Sequence, residues 1–126
     1  MRMLFIEDDD VNRRIVSEML TIGGAGMVAA VDGPSGLARL DEEDFDAILV
    51  DIRMPGMDGF EVIRRIRARG DDKAKLPVIV VTADTGTSME EDCRAAGADL
   101  LLRKPIAIQE LFEAVAEQVL AGQPRH

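Results

Sequence analysis

Four polar stations close apolar runs in this chain: Glu7-Asp8 follows Met3 to Ile6, Asp51 follows Ala47 to Val50, Thr82 follows Val78 to Val81, and Lys104 comes just after Leu100 to Leu102. A carboxylate at the end of a buried run is costly, and two of them about 5 Å apart repel by about 3 kcal/mol at an effective dielectric near 20. Glu7, Asp8 and Asp51 against Lys104 leave an excess of two negative charges, which a single Mg²⁺ neutralises, and an all-oxygen ligand set suits that ion. A carboxylate so placed can attack a phosphoryl group, with the cation and Lys104 countering charge and the Thr82 hydroxyl donating to a phosphoryl oxygen. The product would be an acyl phosphate on Asp51. The only histidine is His126, at the very end of the chain. Neither a Ser-His-Asp triad nor a histidine-rich metal site can be assembled, so any phosphohistidine donor is another protein.

Rigid elements must bring these residues together. Met3 to Ile6, Met27 to Val31, Ala47 to Val50, Val78 to Val81 and Leu100 to Leu102 read as strands. Between and after them, apolar residues fall at helical spacing: Val11, Ile15, Met19 and Ile22; Leu37 and Leu40; Val62, Ile63 and Ile66; Ile108, Leu111, Phe112, Val115 and Val119. Gly23-Gly24 closes the first helix, Pro34 suits the first turn of the second, and Thr87-Ser88-Met89-Glu90 has the form of a capping box. Pro77 precedes its strand, where it costs no ladder bond. Continuously aliphatic strands are buried on both faces, as in a parallel sheet flanked by helices. The expected fold is therefore a three-layer α/β sandwich with five βα units in the flavodoxin-like strand order 2-1-3-4-5. That order makes strands one and three neighbours and collects the four stations beyond the carboxyl ends of the strands, where open parallel sheets keep their functional crevice.

Composition excludes several functions. At 126 residues and 47% hydrophobic the chain makes one domain, expected over 1–121, with 122–126 as a flexible tail. A formal charge of −9 repels phosphate backbones and anionic membrane surfaces, so nucleic acid is not an expected direct partner. Cys93 is the single cysteine, and no signal-like segment precedes the first run, which fits a reducing cytoplasm. The longest aliphatic runs fall far short of the roughly 18 residues needed to cross a bilayer. Asp9 and Asp10 read as a solvated acidic run, Met54, Met57 and Met89 as core or loop filler, and Cys93 as a small packed hydrophobe.

Taken in order, Glu7-Asp8, Asp51 with the following Ile-Arg-Met-Pro-Gly-Met-Asp-Gly, Thr82-Ala83 and Lys104-Pro105 resemble the receiver domain of two-component response regulators, over nearly the whole chain. Asp10-Val11-Asn12-Arg13 is similar to receivers of hybrid histidine kinases. The resemblance implies that Asp51 accepts a phosphoryl group from a histidine kinase or a histidine phosphotransfer protein. It also implies that Asp8, Asp51 and the backbone carbonyl of Arg53 bind Mg²⁺, with Glu7 acting through water. Thr82 and Lys104 would contact the phosphoryl group, the Lys104-Pro105 bond would be cis, and a face made by the fourth helix, fifth strand and fifth helix would meet a downstream protein. Leu101 stands where receivers commonly place tyrosine or phenylalanine. Arg53 and Asp84, each two positions beyond a site residue, would flank the path of attacking water.

The resemblance implies a switch that catalyses its own phosphorylation and dephosphorylation, not an enzyme turning over external substrates. A metal-dependent phosphatase or nuclease would need a second acid two residues after Asp51, where this chain has the cation Arg53. An unphosphorylated pseudo-receiver used as an interaction module is the remaining alternative, favoured only by Leu101.

Overall fold

Every apolar run forms a strand and every helical period a helix in the computed structural model, which describes residues 1–83 and 86–121. The order is β1 (Arg2–Ile6), α1 (Asp10–Ile22), β2 (Gly26–Ala30), α2 (Gly33–Glu42), β3 (Ala47–Val50), α3 (Gly59–Arg67), a 3-10 turn (Asp72–Lys75), β4 (Val78–Thr82), α4 (Met89–Ala96), β5 (Leu100–Arg103) and α5 (Ile108–Ala121). The strands make one parallel sheet in the order β2-β1-β3-β4-β5. Asp84 and the expected tail at 122–126 lie outside the described residues.

Alternate residues of each strand face opposite ways and build two cores. On one side Leu4, Ile6, Ile48, Val50, Val78 and Val80 pack with Leu40 of α2, Val62, Ile63 and Ile66 of α3, and Met89 and Cys93 of α4. On the other, Met3, Phe5, Leu49, Ile79 and Val81 pack with Val16 and Leu20 of α1 and with Leu111 and Val115 of α5. The central strands β1, β3 and β4 are thus buried on both faces, each full aliphatic burial contributing about 2 kcal/mol.

Three local expectations change. The apolar stripe read from α1 is largely its outer one: Val11 is 64% exposed, Ile15 44% and Ile22 78%, while the buried residues are Val16 and Leu20. The helix is apolar on two faces, and helical spacing alone does not say which one meets the sheet. The capping box before α4 does not form: Ser88 is the N-cap without a side-chain cap bond, and its hydroxyl lies 3.2 Å from the Asp92 carboxylate instead. Asp9 is not merely solvated, because its carboxylate accepts from the amides of Val11 and Asn12 and caps α1. Asp10 stays exposed. Met54, Met89 and Cys93 are buried, and Met57 packs against the core.

Candidate functional site

The site sits where β1 and β3 end side by side. Their register carries Ile6 opposite Val50, and the next rung is the Asp51 amide donating to the Ile6 carbonyl at 3.0 Å. Asp51 therefore leaves the sheet from a fixed rung, next to Glu7 and Asp8 at the end of β1. One carboxylate oxygen from each of Glu7, Asp8 and Asp51 lies within 4.8 Å of the others. Glu7 is fully buried, Asp51 is 5% exposed, and Asp8 opens to solvent.

Lys104 arrives from the far side. Its amide donates to the Thr82 carbonyl at 2.9 Å, extending the β4–β5 ladder by one rung, and the Lys104-Pro105 bond is cis. The Lys104 ammonium donates to Oε1 of Glu7 at 2.6 Å and lies 3.8 Å from Oδ2 of Asp51. Thr82, fully buried, ends β4 beside it. Arg53 lies in the loop after β3 with its side chain exposed. All the residues expected from the sequence at the carboxyl ends of the strands are therefore gathered at that edge. Leu101, in contrast, packs partly buried against the α3–α4 core.

Burial pushes the Glu7 carboxyl above the usual carboxylate range, and the neighbouring Asp51 carboxylate raises it further while Lys104 pulls it down. Oε2 of Glu7 is buried without a hydrogen-bond partner. A buried carboxylate oxygen left unpaired beside two further carboxylates is costly, and a hard divalent cation or its hydration water would satisfy it. By donor chemistry and by this orphaned oxygen, Glu7, Asp8 and Asp51 fit a hard divalent cation.

The loop after Asp51 supplies two requirements that the motif reading passed over. Gly56 holds φ +80, and a Cβ at Gly59 would meet the Asp51 carbonyl oxygen at 2.4 Å and the Ile52 Cα at 2.7 Å. The first turn of α3, capped by Asp58, thus lies directly against the backbone of Asp51. The Asp-Gly pair before an apolar helical run was the available signal.

A further surface adjoins the site. Ile15, Met19, Lys104, Pro105 and Ile106 line an apolar groove of about 160 Å³ between α1 and the loop from β5 to α5, so that the groove ends at the site lysine. Among the described residues no helix is long and apolar enough to cross a membrane.

Comparison with known proteins agrees with this geometry. The family model for the response regulator receiver domain matches residues 3–116. The chain is 36% identical over 120 residues to hybrid signal transduction histidine kinase L of Dictyostelium discoideum, covering 90% of this chain and 7% of that protein. It is 36% identical over 124 residues to response regulator MprA of Mycobacterium leprae, covering 98% of this chain and 53% of that protein. The chain thus spans about half the length, or much less, of these relatives. The receiver domain of sensor histidine kinase PA1611 from Pseudomonas aeruginosa PAO1 was solved with a magnesium ion coordinated in its active site cleft. It superposes with a TM-score of 0.86 at 30% identity, covering 94% of this chain and 96% of that one. A response regulator from Chloroflexus aurantiacus J-10-fl superposes with a TM-score of 0.89 at 28% identity, covering 94% and 97%.

Proposed function

The chain belongs to the response regulator receiver family of two-component systems, and from that premise we propose that it is a Mg²⁺-dependent phosphoacceptor switch with Asp51 as the acceptor. The observation that carries this reading is the cluster itself: three carboxylates within 4.8 Å, one with a partnerless buried oxygen, and a single ammonium bridging two of them.

In the proposed reaction a carboxylate oxygen of Asp51 attacks the phosphorus of a phosphohistidine. The O–P bond forms, the P–N bond breaks, and its electron pair stays on the imidazole of the donor. The rung from Asp51 to Ile6 and the close approach of Gly59 hold the nucleophile still, so that little orientation has to be bought at the moment of reaction. Lys104, already 3.8 Å from Asp51, countercharges the transferring oxygens, and the Thr82 hydroxyl donates to one of them. Glu7, Asp8, Asp51 and the Arg53 carbonyl would hold Mg²⁺, whose charge, when bound, stabilises the same oxygens. The domain catalyses its own phosphorylation and dephosphorylation and turns over no external substrate.

The donor, a histidine kinase or phosphotransfer protein, docks a helix in the apolar groove of α1, whose end at Lys104 brings a histidine on that helix toward Asp51. The changed charge at Asp51 is read by a downstream protein at the face of α4, β5 and α5. The reading carries a cytoplasmic setting, where the kinase draws on ATP. Intact mass after incubation with Mg²⁺ and acetyl phosphate tests it. A phosphate-sized gain in wild type and none in Asp51→Asn is expected. No gain in a wild type that binds Mg²⁺ overturns it in favour of an unphosphorylated interaction module.

A further inference from the structure

We propose that Arg13 is a positioning residue of the cation site, holding the Glu7-Asp8 peptide so that its two carboxylates stay aimed at one point despite their repulsion. The inference rests on the reading of Glu7, Asp8 and Asp51 as a divalent-cation site. The paired rungs of β1 and β2 end at Ile6 and Ala30, and the last bond to β2 is the Glu7 amide donating to the Ala30 carbonyl at 3.0 Å. Beyond that rung the chain turns toward Asp8 and Asp9. There the Glu7 carbonyl accepts from Nη1 of Arg13 at 2.7 Å. Nη2 of the same guanidinium pairs with Asp10, and the Arg13 side chain is only 16% exposed although its partner is 85% exposed.

The Glu7 carbonyl and the Asp8 amide share one planar peptide, so a bond to that oxygen sets the direction in which the Asp8 Cα departs from the strand. The other end of the turn is tied by the cap, where Asp9 accepts from Val11 and Asn12. Asp8 thus stands between two clamps, and the one on the site side belongs to Arg13. A mobile Asp8 would relieve its repulsion from Glu7 and Asp51 by swinging into solvent, and the clamp keeps that escape small. Groups that orient metal ligands from outside the ligand set are commonly worth about tenfold or more in affinity.

The test is a titration with Mg²⁺ alone, by calorimetry and by the amide resonances of Asp8 and Asp51, on wild type, Arg13→Ala, Arg13→Lys and Arg14→Ala. Arg14, exposed on the next position of α1, controls for lost positive charge. The expected result is a dissociation constant about tenfold higher for Arg13→Ala, most of the affinity recovered in Arg13→Lys, and no change in Arg14→Ala. A merely structural role would lower the melting temperature of the metal-free protein and leave the dissociation constant alone. Affinity of Arg13→Ala within twofold of wild type, or an equal loss in Arg14→Ala, overturns the inference. No Mg²⁺ response in wild type overturns the cation site itself, and this inference with it. Should Arg13→Ala fail to fold, Arg13→Gln, which keeps a stem and an amide donor, takes its place with an intermediate loss expected and a wild-type constant overturning.

Discussion

The ammonium of Lys104 donates to Oε1 of Glu7 at 2.6 Å, closer than its 3.8 Å approach to Asp51. The lysine is therefore held chiefly by the buried acid, and it faces the Asp51 carboxylate without being committed to it. A phosphoryl group on Asp51 would compete with Glu7 for the same ammonium. This places the charge balance of the site in the hands of Glu7.

Removing the lysine tests that balance. Lys104→Ala leaves a fully buried Glu7 without its ammonium, and breaking a buried pair from one side costs a few kcal/mol. The lysine is partly exposed and Glu7 can neutralise itself by taking up a proton, so a loss of about 2 kcal/mol is expected in urea denaturation at neutral pH, together with loss of phosphorylation by acetyl phosphate.

Glu7 predicts a pH dependence with a definite sign. Its folded-state pKa is raised, chiefly by burial, so the protonated acid is the form that folding favours. The stability it contributes is present below the ordinary value of 4.5 and is lost as pH rises through the raised folded value. Glu7→Gln, which keeps an oxygen for Lys104, should match wild type near pH 4, become the more stable of the two as pH rises to 7 without metal, and show a smaller rise in melting temperature on adding Mg²⁺. Thermal melts across that range, with and without Mg²⁺, check all three.

Gly59 is the position at which packing presses on the Asp51 backbone. Gly59→Ala places a Cβ 2.4 Å from the Asp51 carbonyl oxygen and 2.7 Å from the Ile52 Cα, backbone atoms that cannot turn aside as the nearby Ile52 Cδ1 could. Overpacking of this kind costs about 1–3 kcal/mol, and the displaced carboxylate should phosphorylate more slowly. Denaturation midpoints and the acetyl phosphate rate report the two effects separately.

The outer stripe of α1 separates docking from chemistry. Ile15→Ser changes a partly exposed side chain and should alter stability by no more than about 0.5 kcal/mol. If the phosphodonor lies in the groove, transfer from a phosphorylated cognate partner should fall about tenfold while acetyl phosphate labelling stays at the wild-type rate. Equal rates from both donors would remove the groove from the donor interface.

Much of this molecule is legible without coordinates. The runs ending at Ile6, Val50 and Val81 are short and continuously aliphatic, as doubly buried strands are, the run ending at Leu102 is the half-covered edge strand, and charged or hydroxyl residues directly after these runs stand at one edge of a parallel sheet. Their identity alone points to an acidic cluster suited to a hard cation. What local sequence could not carry is whatever depends on a neighbour distant in the chain. Helical spacing marks two apolar faces on α1, and only contact with β1, β3 and α5 decides that Val16 and Leu20 go inward and Val11 and Ile15 remain outside. Ser88 has the residue type of a cap, yet its hydroxyl faces Asp92. The partnerless oxygen of Glu7, the grip of Arg13 on the Glu7 carbonyl and the tight seat of Gly59 on Asp51 are likewise relations between elements. They arise because packing leaves each buried polar atom a small set of partners, and that set is written in the tertiary arrangement, not in any one stretch of chain.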